Sequence, residues 1–254
     1  MDMRTTKQAL YGGVYLAIIL LISTWLFFFF VKPAPSCFDK KQNQNEEGID
    51  CGGICAQICL PADLQPISIV EEPETFFPTA DKTTVLARIK NPNDSHGAFI
   101  SYVITLYNKN NQSLATFSEN TTIYPSQVRY VIVPSAEVEN AKERVERADL
   151  RFTKVDWQLA EYLPQPIVSV RDQMVERMPG NFLSVTGNVT NADIIDIPTA
   201  KVIAVFFNQF QIPIGAARTE LDDFRSGETR PFTIIHPMLP SLETERTQVF
   251  VTTD

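Results

Sequence analysis

The sequence predicts an all-β fold: two tandem β-sandwich domains following one N-terminal transmembrane helix. Three observations predict it. Residues Leu10 to Val31 form a run of 22 residues without a charge; the rest of the chain matches itself at an offset of 100 residues; and within each copy short apolar alternations are punctuated by turn formers. A chain of 254 residues accommodates this plan as a short tail over 1–9, the helix over 10–31, a cysteine-rich linker over 32–62, a first sandwich over 63–163 and a second over 164–254.

The helix comes first. As an α-helix, 22 residues span roughly 33 Å, enough to cross a bilayer core. Tyr11 and Tyr15 near one end are amphipathic rings of the kind that anchor at the interface, and Phe27 to Phe30 are bulky and apolar. A cleavable secretory signal has a shorter apolar stretch and a small-x-small cleavage site. Here the nearest candidate, Ala34-Pro35-Ser36, carries a proline in its middle. Cys37 follows as in a lipoprotein signal, but Ala34 stands where that signal has a branched apolar residue, so the expectation is a retained anchor. Arg4 and Lys7 on one side balance Lys32, Lys40 and Lys41 on the other, so charge does not set the orientation. A long trailing domain and the cysteine usage favour a cytoplasmic N-terminus, with the C-terminal domains extracytoplasmic.

Charge excludes one class of partner. Residues 1–32 carry Asp2 against Arg4, Lys7 and Lys32, a net +2, which leaves −10 on the remainder of a chain of net −8. Such a surface repels phosphate backbones, and nucleic acid is set aside.

All four cysteines, Cys37, Cys51, Cys55 and Cys59, fall in one polar, glycine-containing stretch of 23 residues. They are read as two structural disulfides clipping a segment with too little apolar material to fold alone; three pairings are open. Zinc prefers C-x2-C or C-x2-H knuckles, and here the spacings are thirteen, three and three with no nearby histidine. Asn43, Asn45, Glu47 and Gly48 imitate the first half of an EF-hand loop, but Ile54 occupies the position that needs a bidentate carboxylate. A looser calcium site from Asp39, Glu46, Glu47 and Asp50 is the alternative. Asp39, Asn43, Glu46, Gly48, Asp50, Cys51, Gly52, Gly53, Cys55 and Cys59 together resemble a short cysteine-rich stalk module of bacterial surface proteins, which implies an exported, membrane-proximal position.

The repeat pairs Gln65-Pro66-Ile67 with Gln165-Pro166-Ile167, Asn91 with Asn191, Asn108 with Asn208 and Ser126 with Ser226. The apolar residues follow in the same register without a gap: Ile89 with Val189, Leu106-Tyr107 with Phe206-Phe207, Tyr124 with Phe224, Ile132 with Phe232. Ile100, Tyr102, Ile104 and Leu106, like Val202, Ala204 and Phe206, alternate with the period of a half-buried strand. Turns are expected at Asn91-Pro92-Asn93-Asp94, Asn108 to Asn111, Pro125-Ser126 and Arg225 to Glu228. One stretch dissents: Ala136 to Ala148 has helical composition, and is read as a short helix or loop between strands with Val138, Ala141, Val145 and Ala148 as its apolar face.

Each copy resembles the FxLYD and LEA-type sandwich families through Ala87 to Asn93 and Ile104 to Asn108 in the first, and Gly187 to Asn191, Val205 to Asn208 and Leu221 to Phe232 in the second. The resemblance implies a fibronectin/Ig-like sandwich of seven strands, transfers no catalytic residue, and implies accessory or adhesive roles at membranes. Where these families have Asp, Asn108 and Asn208 stand.

No nucleophile elbow, zincin, phosphate-loop or dinucleotide fingerprint appears. His96 and His236 occupy non-equivalent places and are expected to be exposed structural residues. Adjacent acids such as Glu71-Glu72 and Asp222-Asp223 point to opposite faces in a strand. The expectation is therefore a non-enzymatic structural or interaction protein without cofactor or metal. Its partners are the lipid bilayer, through the helix, and a protein of the envelope or cell surface; a small-ligand or calcium-binding module is the alternative.

Overall fold

The structure is a computed structural model that describes residues 3–28, 36–55, 57, 59–61 and 63–253. The chain divides into two compact units, Met1–Pro61 and Ala62–Asp254.

In the first unit, helix α1 (Met3–Leu26) holds an apolar window, Lys7–Leu26, whose side chains are covered by nothing in the protein. By length and composition this helix is apolar enough to cross a membrane. Thr24 interrupts the apolar run, and its hydroxyl donates to the Leu20 carbonyl one turn back at 2.7 Å. Phe29 to Val31, the end of the expected span, lie outside the described residues.

The second unit is all β apart from short helical turns. Each copy contributes six strands: β1 (Ser68–Thr79), β2 (Lys82–Lys90), β3 (His96–Tyr107), β4 (Ser113–Ile123), β5 (Val128–Glu137) and β6 (Arg147–Leu159), then β7 (Val168–Met178), β8 (Phe182–Asn191), β9 (Ile197–Phe207), β10 (Pro213–Phe224), β11 (Thr229–Pro237) and β12 (Gln248–Thr253). The first sandwich packs sheet β1-β2-β5 on β4-β3-β6, the second packs β11-β8-β7 on β10-β9-β12, and every pairing is antiparallel. The topologies are identical. Among the described residues each copy forms six strands and not the seven that the family resemblance implies: after β6 the eight residues 160–167 hold a 3-10 turn and two prolines before β7 begins.

Each sandwich has its own core. Ile89, Ile100, Tyr102, Ile104 and Leu106 fill the first, and Val185, Val202, Ala204, Phe206, Phe224 and Phe232 the second. The helical stretch shrinks to one turn, α2 (Ala141–Arg144), with β5 and β6 taking its flanks; Val138, Ala141, Val145 and Ala148 are all buried and plug the end of the first core.

The two registers differ by one residue after the fourth strand. The Asn91 N–H donates to the Gln127 carbonyl, whereas the Asn191 N–H donates to that of Glu228, a spacing of 101. An extra residue in the second β-turn shifts everything beyond it, so Val131 and Val133 match Phe232 and Ile234, which face the core. The expected pairing of Ile132 with Phe232 is corrected accordingly. A slip of one residue reverses the face of a strand, and Ile132 points outward.

What lies outside Ile132 is the other sandwich. Leu86 and Ile132 from sheet β1-β2-β5 pack with Ile203, Val205, Phe207 and Ala216 from sheet β10-β9-β12, with Phe76, Tyr130 and Phe250 closing the margin and the Tyr130 and Phe250 rings 4.9 Å apart. Both faces of β2 and β9 are thus buried, which explains their continuous apolar runs, Val85-Leu86-Ala87 and Val202 to Phe207. Polar groups border this seam. Arg218 donates to the Ile132 carbonyl at 3.3 Å, Glu119 lies within 4.0 Å of both Lys201 and Arg218, and Arg129 and Tyr124 reach Thr253 of the last strand. The tandem domains form one four-layer body.

Candidate functional site

The cysteine module is built around carboxylates. Cys37 bonds Cys55 and Cys51 bonds Cys59, with Cα separations of 5.7 and 5.0 Å, which selects one of the three open pairings. Chain-entropy reasoning gives about 3 kcal/mol for closing the 18-residue separation and about 2.5 kcal/mol for the 8-residue one. A Cys37 joined to Cys55 has no thiol left for a lipid. Gly53 sits at φ 59° with its α-carbon so close to the Asn45 carbonyl that any side chain would collide with it, so the Gly52-Gly53 pair is a steric requirement of the loop.

The acidic residues of this loop fold it. Asp50 accepts from the backbone N–H groups of Asp39 and Lys40 at 2.9–3.1 Å, and Asp39 accepts from Lys41 N–H and from the Asn43 amide. The Asn43 donor holds the Asp39 carboxyl below the usual carboxylate range. Glu46, buried, accepts from Asn43 N–H at 2.9 Å and rests with Oε1 3.2 Å from Cys55 Sγ. Three of the four carboxylates named for calcium thus face N–H donors; Glu47 stays exposed. Cys37, Glu46 and Cys55 approach one another closely enough for a metal, but the two sulfurs are bonded to each other and offer no thiolate.

In the double sandwich the recurring asparagines are stitches. Asn91, fully buried, donates from Nδ2 to the His96 and Tyr124 carbonyls, and Asn191 does the same to Ile195, Phe224 and Arg225. Each ties the loop after its second strand to the turn before its fifth. Asn108 and Asn208 close the hairpins after β3 and β9 by accepting two backbone N–H groups each. Asn108 and Asn208 therefore perform turn chemistry that needs only a side-chain carbonyl.

Both histidines are buried, contrary to expectation. His96 opens β3 with Nδ1 2.9 Å from Ser95 Oγ, and His236 lies in β11 with its ring 4.9 Å from that of Phe206. His236 Nδ1 donates to the Pro237 carbonyl at 2.7 Å, so the neutral tautomer leaves only an acceptor, Nε2, facing apolar surroundings. Burial pushes its pKa down, with the Pro237 bond opposing. The two histidines stand in different sandwiches, each fixed by a neighbouring residue. Among the described carboxylates, the exposed Asp222 and Asp223 lie beside a half-buried Glu228–Arg230 ion pair of 2.7 Å at one end of the sheet.

The feature that sequence reasoning missed is the loop between β8 and β9. Ile194 is 91% exposed, with Ile167 at 64% and Ile195 at 49% beside it. This loop is held from every side. Asp193 accepts from the N–H groups of Ile167 and Ile194; Asn191 accepts from Asp193 N–H; Ser226 donates its hydroxyl to the Asp193 carbonyl and its N–H to Asp196. The first copy has Asp94 and Ser95 in this place. A signal existed: two consecutive isoleucines between aspartates, inside a turn where periodicity calls for polar residues.

No protein-family model matches the chain, and no curated protein matches its sequence. Among solved structures the chain is similar to a red sea bream transglutaminase, at 11% identity over 76% of this chain and 31% of that one with a TM-score of 0.23. It is also similar to a Parabacteroides merdae β-glucuronidase, at 11% identity over 87% of this chain and 33% of that one with a TM-score of 0.20. The chain spans about a third of the length of these two proteins.

Proposed function

We propose that this chain is a membrane-anchored, extracytoplasmic structural or interaction protein that presents a rigid double sandwich to a protein partner. The carrying observation is Ile194. A large aliphatic side chain held outward on a hydrogen-bonded loop leaves the backbone little freedom to lose when a partner covers it. Its burial contributes about 2 kcal/mol, or about 30-fold in affinity. The exposed apolar helix supports anchoring in lipid, and the two disulfides support an oxidising compartment.

The test replaces Ile194 with a photocrosslinking amino acid in the full-length chain on intact cells. Capture of a defined protein whose binding to the chain without the crosslinker is lost in Ile194→Asp, with the melting temperature unchanged, supports the reading. Binding of the captured protein that is indifferent to Ile194→Asp contradicts it.

A further inference from the structure

The two disulfides of the cysteine module have unlike neighbours. Against Cys37–Cys55 stands Glu46, buried, with Oε1 3.2 Å from Cys55 Sγ; the two sulfurs and a carboxylate oxygen lie within 4.8 Å of one another. The second carboxylate oxygen, Oε2, accepts from the Asn43 and Asp50 N–H groups at 2.9 and 3.4 Å. Oε1 instead faces a sulfur that, as half of a disulfide, carries no hydrogen. Cys51–Cys59 is covered differently: a side chain at Gly48 would meet its two sulfurs at 2.8 and 3.0 Å, so bare main chain lies over that bond.

A buried carboxylate oxygen without a donor is unfavourable, and an S–H group in the same place would satisfy it with a charge-assisted hydrogen bond. Opening Cys37–Cys55 creates that group. Glu46 therefore favours the reduced form of this one disulfide and raises its reduction potential above that of a bond with no such acceptor beside it. Access sets the direction of attack. Cys55 is 8% exposed, whereas Cys37 is half-buried and open to approach from solvent.

We propose that Cys37–Cys55 is a thiol–disulfide exchange site, opened by an external thiol through Cys37, with Cys55 as the leaving group and Glu46 as the carboxylate that holds the released Cys55 thiol. The thiolate of a thiol RSH attacks Cys37 Sγ. The R–S–Cys37 bond forms, the Cys37–Cys55 bond breaks, and its electron pair goes to Cys55 Sγ, which takes up the proton that RSH gave up and donates the resulting S–H to Glu46 Oε1. A second RSH attacks the R sulfur of the mixed disulfide and leaves RSSR and a Cys37 thiol, so the protein's disulfide gains the two electrons that the two external thiols lose. Cys51–Cys59 stays closed as the structural clip. The site is independent of Ile194, and the interaction reading stands or falls without it.

The experiment equilibrates the full-length chain in its native membrane with mixtures of glutathione and glutathione disulfide, a chelator present, and quenches in acid. One maleimide labels the thiols before complete reduction and a second labels them after it. Peptide mass spectrometry is expected to find Cys37 and Cys55 half-reduced at a glutathione poise about 30 mV less reducing than Cys51 and Cys59, a tenfold difference in equilibrium constant. In short exposures of the unaltered chain the glutathione adduct should lie on Cys37. Glu46→Gln, whose amide N–H can face the intact disulfide, should remove the difference while the oxidised module keeps its resistance to protease over 40–50. In cells, Cys55→Ser leaves Cys37 to form the mixed disulfide with the oxidised partner and nothing to displace it, and the mass of the adduct tells a small thiol from a protein thiol. Cys51–Cys59 opening first or together with Cys37–Cys55 in the unaltered chain, an adduct on Cys55, a difference that survives Glu46→Gln, or a free Cys37 thiol in Cys55→Ser overturns the proposal.

Discussion

Replacing Ile203 with alanine tests whether the two sandwiches are one body. Ile203 belongs to the second sandwich, is 2% exposed, and projects into the seam against Leu86 and Ile132 of the first. Truncating a buried isoleucine removes its transfer free energy and leaves a cavity, together about 3 kcal/mol. For a unit the size of Ala62–Asp254, 1 kcal/mol moves the melting temperature by about 2–4 °C, so the expected drop is about 6–12 °C. The chain contains two tryptophans, Trp25 in the helix and Trp157 on β6 of the first sandwich. In a Trp25→Phe background, Trp157 fluorescence therefore reports the first sandwich while circular dichroism reports both. If the seam couples them, Ile203→Ala lowers both transitions together, although the substitution lies in the other copy. A Trp157 transition that stays in place while the dichroism transition splits would refute the reasoning and leave two independent domains.

Other expectations follow from the same geometry. Asn91→Ala removes the amide that donates to the buried His96 and Tyr124 carbonyls, leaving Tyr124 the 3.3 Å bond from the Gln127 N–H, and at about 1–3 kcal/mol should cost more in thermal denaturation than Asn93→Ala, whose side chain is half-buried. His236 is buried neutral with a lowered pKa, so it binds protons more readily unfolded than folded: its contribution to stability is complete above the unfolded histidine pKa and is lost as pH falls below it. His236→Leu should flatten the decline in melting temperature between pH 7 and pH 5; an unchanged decline would assign it to carboxylates. Paired Cys51→Ser and Cys59→Ser substitutions should leave the double sandwich's melting unchanged while making the segment 40–50 susceptible to protease. Calcium should leave both readouts where they are, because Asp39, Glu46 and Asp50 already accept N–H bonds.

Much of this fold is legible in the residues. The 100-residue offset places β1 to β4 against β7 to β10, because both copies use the same hairpin asparagines, whose chemistry is local. Legibility stops where a distant partner decides. Continuous apolar residues in β2 and β9 break the alternation seen in β3, and nothing local says that the second face is covered by the other sandwich. The extra residue near Arg225 is invisible because Ser126 and Ser226 still align, yet it turns Ile132 out and Phe232 in. His96 and His236 sit near strand ends, where sequence alone suggests exposure, and only the packing of Ser95 and Phe206 around them shows otherwise. Cysteine pairing depends on the carboxylate-held path of residues 39–50, which spacing does not encode. Ile194 is anomalous in sequence, but its exposure follows from bonds made by Ser226 and Ile167, more than 25 residues away in the chain.

The central claim, a lipid-held chain whose folded part lies in an oxidising compartment, is tested most directly by labelling intact cells with a membrane-impermeant maleimide before and after an impermeant reductant. The account predicts no labelled cysteine before reduction and four labelled after it, on a protein that stays with the membrane fraction. Four thiols that react without reductant, and only after the cells are lysed, would contradict it.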